Sequence, residues 1–283
     1  MRVFLSVDME GITGVCHPDH LLAGGQDYEQ ARRWLTGDVN AAVDGAVAGG
    51  AEEVVVADGH ATMRNVLLDE LDERARLVCG PAQARNRPLG QVTGIEEGAY
   101  EAAMLIGYHS RAGTPGGLLA HTWVGRLVHE IRIQGRVAGE ALLNAYILGH
   151  YGVPVVLATG GDDFVREVRA DLGEDLACVE VKKTLGPSAC LSLTPKKAQA
   201  LIREAAERAV ARRASRKPLV ADPPVNIEVH FNAVAMQERA LELGGEPVDT
   251  RGIRYSGPDT PATVKEVWRG LAHTLREEAA FLK

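Results

Sequence analysis

The sequence predicts an α/β protein: a mostly parallel sheet with helices on both faces, followed by a smaller C-terminal α+β domain. Three observations carry this. Short apolar runs recur at residues 2–7 (RVFLSV), 53–57 (EVVVA), 102–107 (AAMLIG) and 153–158 (VPVVLA), with helical segments between them. The runs are continuous rather than alternating, as in parallel strands covered on both sides. Each ends in polar or glycine-rich residues, namely DMEG, DGH, YHS and TGGD. The expected division falls near residue 190, with an α/β domain over 1–190 and the smaller domain over 191–283.

Each element has its own local reason. After the first strand, a helix is expected from Asp27. Tyr28, Ala31, Leu35, Val39, Ala42, Val43 and Ala46 keep a 3.6-residue period. Asp27 with Gln30 three residues on fits a capping box. Gly49-Gly50 is a natural stop, because glycine accepts the left-handed conformation at a helix end. The runs at 53–57 and 102–107 follow, and then a glycine-rich loop over 111–125. Residues 128–133 read as a further strand, and Glu140 opens a helix after Gly139. Beyond the fourth run, Thr194-Pro195 starts an amphipathic helix with threonine as N-cap and proline in the first turn. Ala198, Leu201, Ile202, Ala205 and Ala209 line one face of it. Pro223-Pro224 breaks the chain before a strand at 225–231. A helix, a short strand and a last helix from about Thr263 complete the chain.

Composition narrows the function. An apolar fraction of 46 % and a charged fraction of 24 % are those of a globular protein. The net charge of −7 gives no global basic field for nucleic acid or anionic membrane. The stretch Arg208, Arg212, Arg213, Arg216 and Lys217 reads as a solvated helix end rather than a nucleic-acid patch. No run approaches about 18 apolar residues, and the opening residues are too short for the apolar core of a signal peptide. Cys16, Cys79, Cys178 and Cys190 form no CxxC pair. They read as reduced, structural cysteines, and the expected compartment is the cytoplasm. There is no GxxxxGK[ST], no GxGxxG after the first strand and no GxSxG, which argues against an ATPase, an NAD enzyme and a serine hydrolase.

Ligands of open parallel sheets bind beyond the carboxyl ends of the strands. Asp8 and Glu10 lie just past the first strand, His60 past the second and His109 past the third. Glu140 adds a third carboxylate. Carboxylate plus imidazole is the ligand chemistry of zinc and similar divalent ions. Five candidates exceed the three that one catalytic zinc needs. The surplus points to two metals sharing a carboxylate, able to hold a hydroxide and polarise a carbonyl. The alternatives are an acidic loop after a strand and loop histidines bonded to backbone. Asp58 either orients a ligand histidine or caps the next helix. His121, in the glycine-rich loop, is a candidate for general acid–base work or an ordinary exposed histidine. The other histidines carry no pattern.

At these residues the sequence resembles the bacterial zinc D-aminopeptidases of dipeptide-permease operons. The likeness lies in SVDMEGITG (6–14), Asp58-x-His60, GYHSRAGTPG (107–116), His121, VAGEALLNAY (137–146), GVPVVLATGGDD and VKKTLGPSACLSLTP, and so runs through nearly the whole chain. The resemblance implies two zinc ions per subunit, held by Asp8, Glu10, His60, His109 and Glu140 with Asp8 bridging, and a catalytic role for His121. It makes residues 1–190 the metal-binding catalytic domain. It also implies a homodecamer of two stacked pentamers whose sites face an inner chamber open to short peptides. The expected function is removal of the N-terminal residue from short peptides, D-alanyl ones in particular, by metal-hydroxide attack on the scissile carbonyl. The alternatives are a related metal amidohydrolase or an L-aminopeptidase, and, least favoured, a non-catalytic peptide-binding protein.

Overall fold

The computed structural model describes residues 1–81 and 87–281. In chain order the strands and helices are β1 (Arg2–Val7), α1 (Tyr28–Ala48), β2 (Glu53–Asp58), β3 (Ala75–Val78), β4 (Ala102–Tyr108), β5 (Val128–Ile133), β6 (Arg136–Val137), α2 (Glu140–His150), β7 (Val155–Gly161), α3 (Asp162–Leu172), β8 (Ala177–Gly186), β9 (Ala189–Ser192), α4 (Pro195–Ala211), β10 (Val225–Phe231), α5 (Val234–Leu241), β11 (Glu246–Pro247), β12 (Gly252–Gly257) and α6 (Thr260–Phe281).

Seven strands form one sheet in the order β3-β2-β1-β4-β7-β8-β9. All its pairings are parallel except that of the hairpin β8–β9. Strand geometry alternates side chains between faces. Val3, Leu5 and Val7 of β1 and Ala102, Met104 and Ile106 of β4 pack under α1 and α4. Phe4, Ala103 and Leu105 face the other way, toward α2, α3 and a second sheet. That second sheet is antiparallel, in the order β11-β12-β10-β5-β6. The mostly parallel sheet with helices on both faces is therefore present. Sheet membership cuts across residue 190: β5 pairs with the late strand β10 and brings β6 into the same sheet, while α4 packs back on α1.

Several local expectations are corrected. Asp27 stands at the N-cap of α1 but makes no side-chain capping bond, and neither does Thr194 at α4. β7 starts two residues later than the apolar run, at Val155. Pro154 has no N–H to donate to a ladder, although its carbonyl accepts from Ala103 N at 2.9 Å. β3 was not expected; it is a half-buried edge strand (ARLV) with no apolar run to reveal it. At the basic helix end, Arg208 pairs with Glu204, Arg213 with Glu101 and Arg216 with Asp175. All four cysteines are free. Among the described residues, no helix is long and apolar enough to cross a membrane.

The turn after β1 runs tight against the end of β4. Gly11 N donates to Gly107 O at 2.8 Å, and a Cβ at Gly11 would lie 1.9 Å from Tyr108 O. Main chain cannot swing aside as a side chain can. Gly11→Ala is expected to cost about 3 kcal/mol or more. Gly113→Ala, at φ +82° in open space, should cost only about 1–2 kcal/mol of backbone strain. Urea unfolding of the two variants checks this; equal losses would contradict the steric account.

Candidate metal centre

β1 sits between β2 and β4, so the chain reverses its direction of travel across the sheet beside it. A crevice opens at such a reversal, beyond the carboxyl ends of the strands. Asp8 follows β1 directly, and its N–H still donates to Ile106 O of β4 at 2.8 Å. Two residues on, Glu10 turns back over the same edge. His60 follows β2, His109 follows β4, and Glu140 is the first residue of α2. All five are buried, none more than 7 % exposed.

They converge. His60 Nδ1 lies 3.1 Å from Glu10 Oε2 and 3.4 Å from Asp8 Oδ1. His109 Nε2 lies 3.5 Å from both Asp8 Oδ2 and Glu140 Oε1. Asp8, Glu10 and His60 form one group able to hold a metal ion, and Asp8, His109 and Glu140 form another, with Asp8 common to both. His121 joins from the loop: its ring stacks on that of His109 at 4.2 Å, and its Nε2 lies 3.9 Å from both Glu10 Oε1 and Glu140 Oε1. The spacing of these residues along the chain leaves open what the fold makes plain, that all six gather in one cluster, five of them (Asp8, Glu10, His60, His121 and Glu140) lining one pocket.

Main-chain carbonyls set the imidazoles. His109 Nδ1 lies 2.9 Å from Ser110 O, His121 Nδ1 2.9 Å from Leu119 O, and His60 Nε2 2.8 Å from Leu21 O. Each ring donates that N–H to its carbonyl, leaving its other nitrogen free to bind. Such outer partners fix ring orientation and tautomer.

The sequence reading missed the layer beneath. Gln91 donates to Asp8 Oδ2 at 3.1 Å and to Glu140 Oε2. Asn144 donates to Gln91 Oε1 at 2.6 Å and to Tyr108 Oη at 2.8 Å, and Tyr108 Oη meets Ser6 Oγ at 2.6 Å. Asn144 stands four residues after Glu140 and so shares its helix face, a signal the spacing did carry. Gln91 follows a loop and had none. Asp58 does not touch the His60 ring. Its carboxylate takes the N–H groups of His60, Asn65 and Val66, tying the turn that presents the ring.

The cavity over the cluster holds about 250 Å³, near the small end of ligand pockets. Its floor is carboxylate and imidazole. Its walls are Pro18, Leu21 and Leu22 on one side and Trp123 on the other. Trp123 is held by stacking on Trp268 at 4.8 Å and by its N–H to Glu140 Oε1 at 2.6 Å.

A family model described as D-aminopeptidase matches residues 1–268. The chain belongs to the D-aminopeptidase family. The D-aminopeptidase of Bacillus subtilis (strain 168) is 33 % identical over 251 residues, 88 % of each chain. A solved structure, the Zn-dependent D-aminopeptidase DppA from Bacillus subtilis, described as a self-compartmentalizing protease, matches with a TM-score of 0.90. It is 28 % identical, and 98 % of each chain is covered. The mostly parallel α/β fold read from the apolar runs is thus shared with that solved structure.

In this D-aminopeptidase-family chain the electrostatics ask for a cation. Burial, with the charge of Glu10 beside it, pushes the Asp8 carboxyl up to about 7. Burial acts on Glu10 in the same sense, but the charge and hydrogen bond of His60 hold it well below the usual carboxylate range. Burial opposes charge on the imidazoles, yet the carboxylates outweigh it. Glu10 and Asp8 hold His60 well above its ordinary value, and Glu140 foremost raises His109 to about 10. His109 Nε2 is buried with no hydrogen-bond partner. Three buried carboxylates and an orphaned imidazole nitrogen are the donor set a divalent metal fits. Without metal, protons on the histidines do the neutralising.

The sign of the pH dependence follows. Stabilisation from protonated His109 is full below about 6.5 and fades as pH rises through about 10. In metal-stripped protein the melting temperature should therefore fall between pH 7 and 10. The gap between wild type and His109→Gln should narrow over the same range, and a divalent metal should flatten the wild-type slope. A gap constant with pH would show that the imidazole holds no such proton.

Proposed function

We propose that this protein is a zinc-dependent D-aminopeptidase acting on short peptides, with two zinc ions per subunit. One observation carries the reading: in a chain of this family, Asp8, Glu10, His60, His109 and Glu140 converge in one buried cluster, four of them lining its pocket. Asp8, Glu10 and His60 would hold one ion and Asp8, His109 and Glu140 the other, so that Asp8 bridges. When bound, the pair supplies Lewis acidity and a water of lowered pKa.

The chain's own residues supply the rest. His121 gives its Nδ1–H to Leu119 O, so its Nε2 faces the pocket with a lone pair. There it takes a proton from the water that attacks the scissile carbonyl and returns it to the leaving amine nitrogen as the amide C–N bond breaks. Glu140 is held in aim by Trp123 N–H and Gln91, and Asp8 by Gln91. The apolar walls exclude water and leave room for a small apolar side chain such as the methyl of alanine. Compartmentalisation of the DppA neighbour supports a closed homo-oligomer here too, a decamer with inward-facing sites, in the cytoplasm.

The decisive experiment follows alanine release from D-Ala-D-Ala and L-Ala-L-Ala by zinc-replete protein, with a chelated control. The expected outcome is chelator-sensitive cleavage of the D-dipeptide alone. Cleavage of the L-dipeptide would remove the stereochemical assignment. No cleavage of either, with zinc bound, would move the reading to another amide.

Two variants divide the roles. His121→Ala should keep its zinc by elemental analysis and lose about 10²–10⁴-fold in kcat. Asp8→Ala should lose both ions; a variant that still binds two would defeat the bridging assignment.

A further inference from the structure

The loop that carries Asp8 and Glu10 is gripped from behind by a buried ammonium. Lys182 lies on β8, across from Gly161 and Ser192 in the ladders, and is only 4 % exposed. Its Nζ donates to the carbonyls of Glu10 at 2.5 Å, Ile12 at 2.8 Å and Val15 at 2.5 Å. An ammonium has three protons and no acceptor, so these three carbonyls use all of its donor capacity.

That arrangement is unusual in its purpose. Burying a lysine is costly unless it is fully bonded, and here every acceptor is main chain of one turn. Three carbonyl dipoles converging in a protein interior repel one another unless a positive charge sits between them. The other side of the same turn is held by Asp38, which accepts from Thr13 N at 3.1 Å and Thr13 Oγ1 at 2.8 Å. Ser192 Oγ accepts from Gly14 N at 2.9 Å. The carbonyl of Glu10 belongs to a proposed ligand, so the ammonium fixes the backbone from which that carboxylate projects.

We propose that Lys182 is a positioning residue for metal capture, a tethered cation whose ammonium shapes the 8–15 turn so that Asp8 and Glu10 face His60. The metal part of this rests on the two-zinc reading above; the loop part does not. Outer partners of metal ligands commonly govern affinity 10–100-fold.

The test uses Lys182→Met, which keeps the apolar stem, and Lys182→Ala, which opens space for a free cation. Zinc affinity is read by competition with a chelating dye, and loop order by hydrogen exchange on peptides spanning 8–15, with β4 and α2 as internal reference. The expected result for Lys182→Met is about a 10–100-fold loss of zinc affinity, with faster exchange confined to the loop. In Lys182→Ala, ammonium or methylammonium should restore both, and tetramethylammonium neither. Unchanged affinity and exchange in Lys182→Met would overturn the proposal. So would faster exchange throughout the protein with no ammonium rescue, which would make Lys182 simple packing. Wild-type protein that binds no zinc would sink the metal reading alone, and the loop exchange would still judge Lys182.

Discussion

Asp8, Glu10 and Glu140 are buried side by side, and like charges so placed repel strongly where water cannot screen them. Most of the architecture around the crevice answers that repulsion. Imidazoles from two further strand ends stand between the carboxylates, and a carboxamide, Gln91, bridges Asp8 and Glu140 from below. α2 starts at Glu140, so the positive end of its dipole lies at the same spot. In the proposed site, a divalent ion would take over the neutralising role that protonated His60 and His109 play without it.

Rigidity comes from the parallel sheet. Side chains at the ends of adjacent strands have neighbours about 4.8 Å away, which suits shared coordination. Flexible loops then need to contribute only the outer face of the pocket. The loop around His121 is pinned at several points, among them Ala112 N on Thr122 Oγ1 at 3.1 Å, Leu119 N on Pro187 O at 2.9 Å and the Trp123–Trp268 stack. Its imidazole therefore stands at a set distance from the ligands.

Much of this was legible before the structure. The apolar runs at 2–7, 53–57 and 102–107 become β1, β2 and β4 almost to the residue, because strands buried on both faces leave an uninterrupted signature. Their polar ends become the crevice, because the crevice of such a sheet is a topological property. What stayed hidden depends on contacts distant in sequence. Gln91 sits on a loop with no periodicity, and Lys182 looks like any charged residue in a strand until its partners 167–172 residues away are known. β3 lacked an apolar run because an edge strand buries too little. Pairing of β5 with β10 spans nearly a hundred residues, and no local pattern records it.

The central place of β1 has a consequence for the order of events at the ribosome. Asp8 and Glu10 are made before His60, His109 and Glu140, which emerge successively later, and β7 pairs along the far side of β4 only beyond residue 155. Domains fold as units during synthesis, so a nascent chain holds unpaired carboxylates until more than half of it exists. Any metal that these residues capture would thereby wait until α2 and β7 have been made. A fragment abandoned before Glu140 would lack that carboxylate.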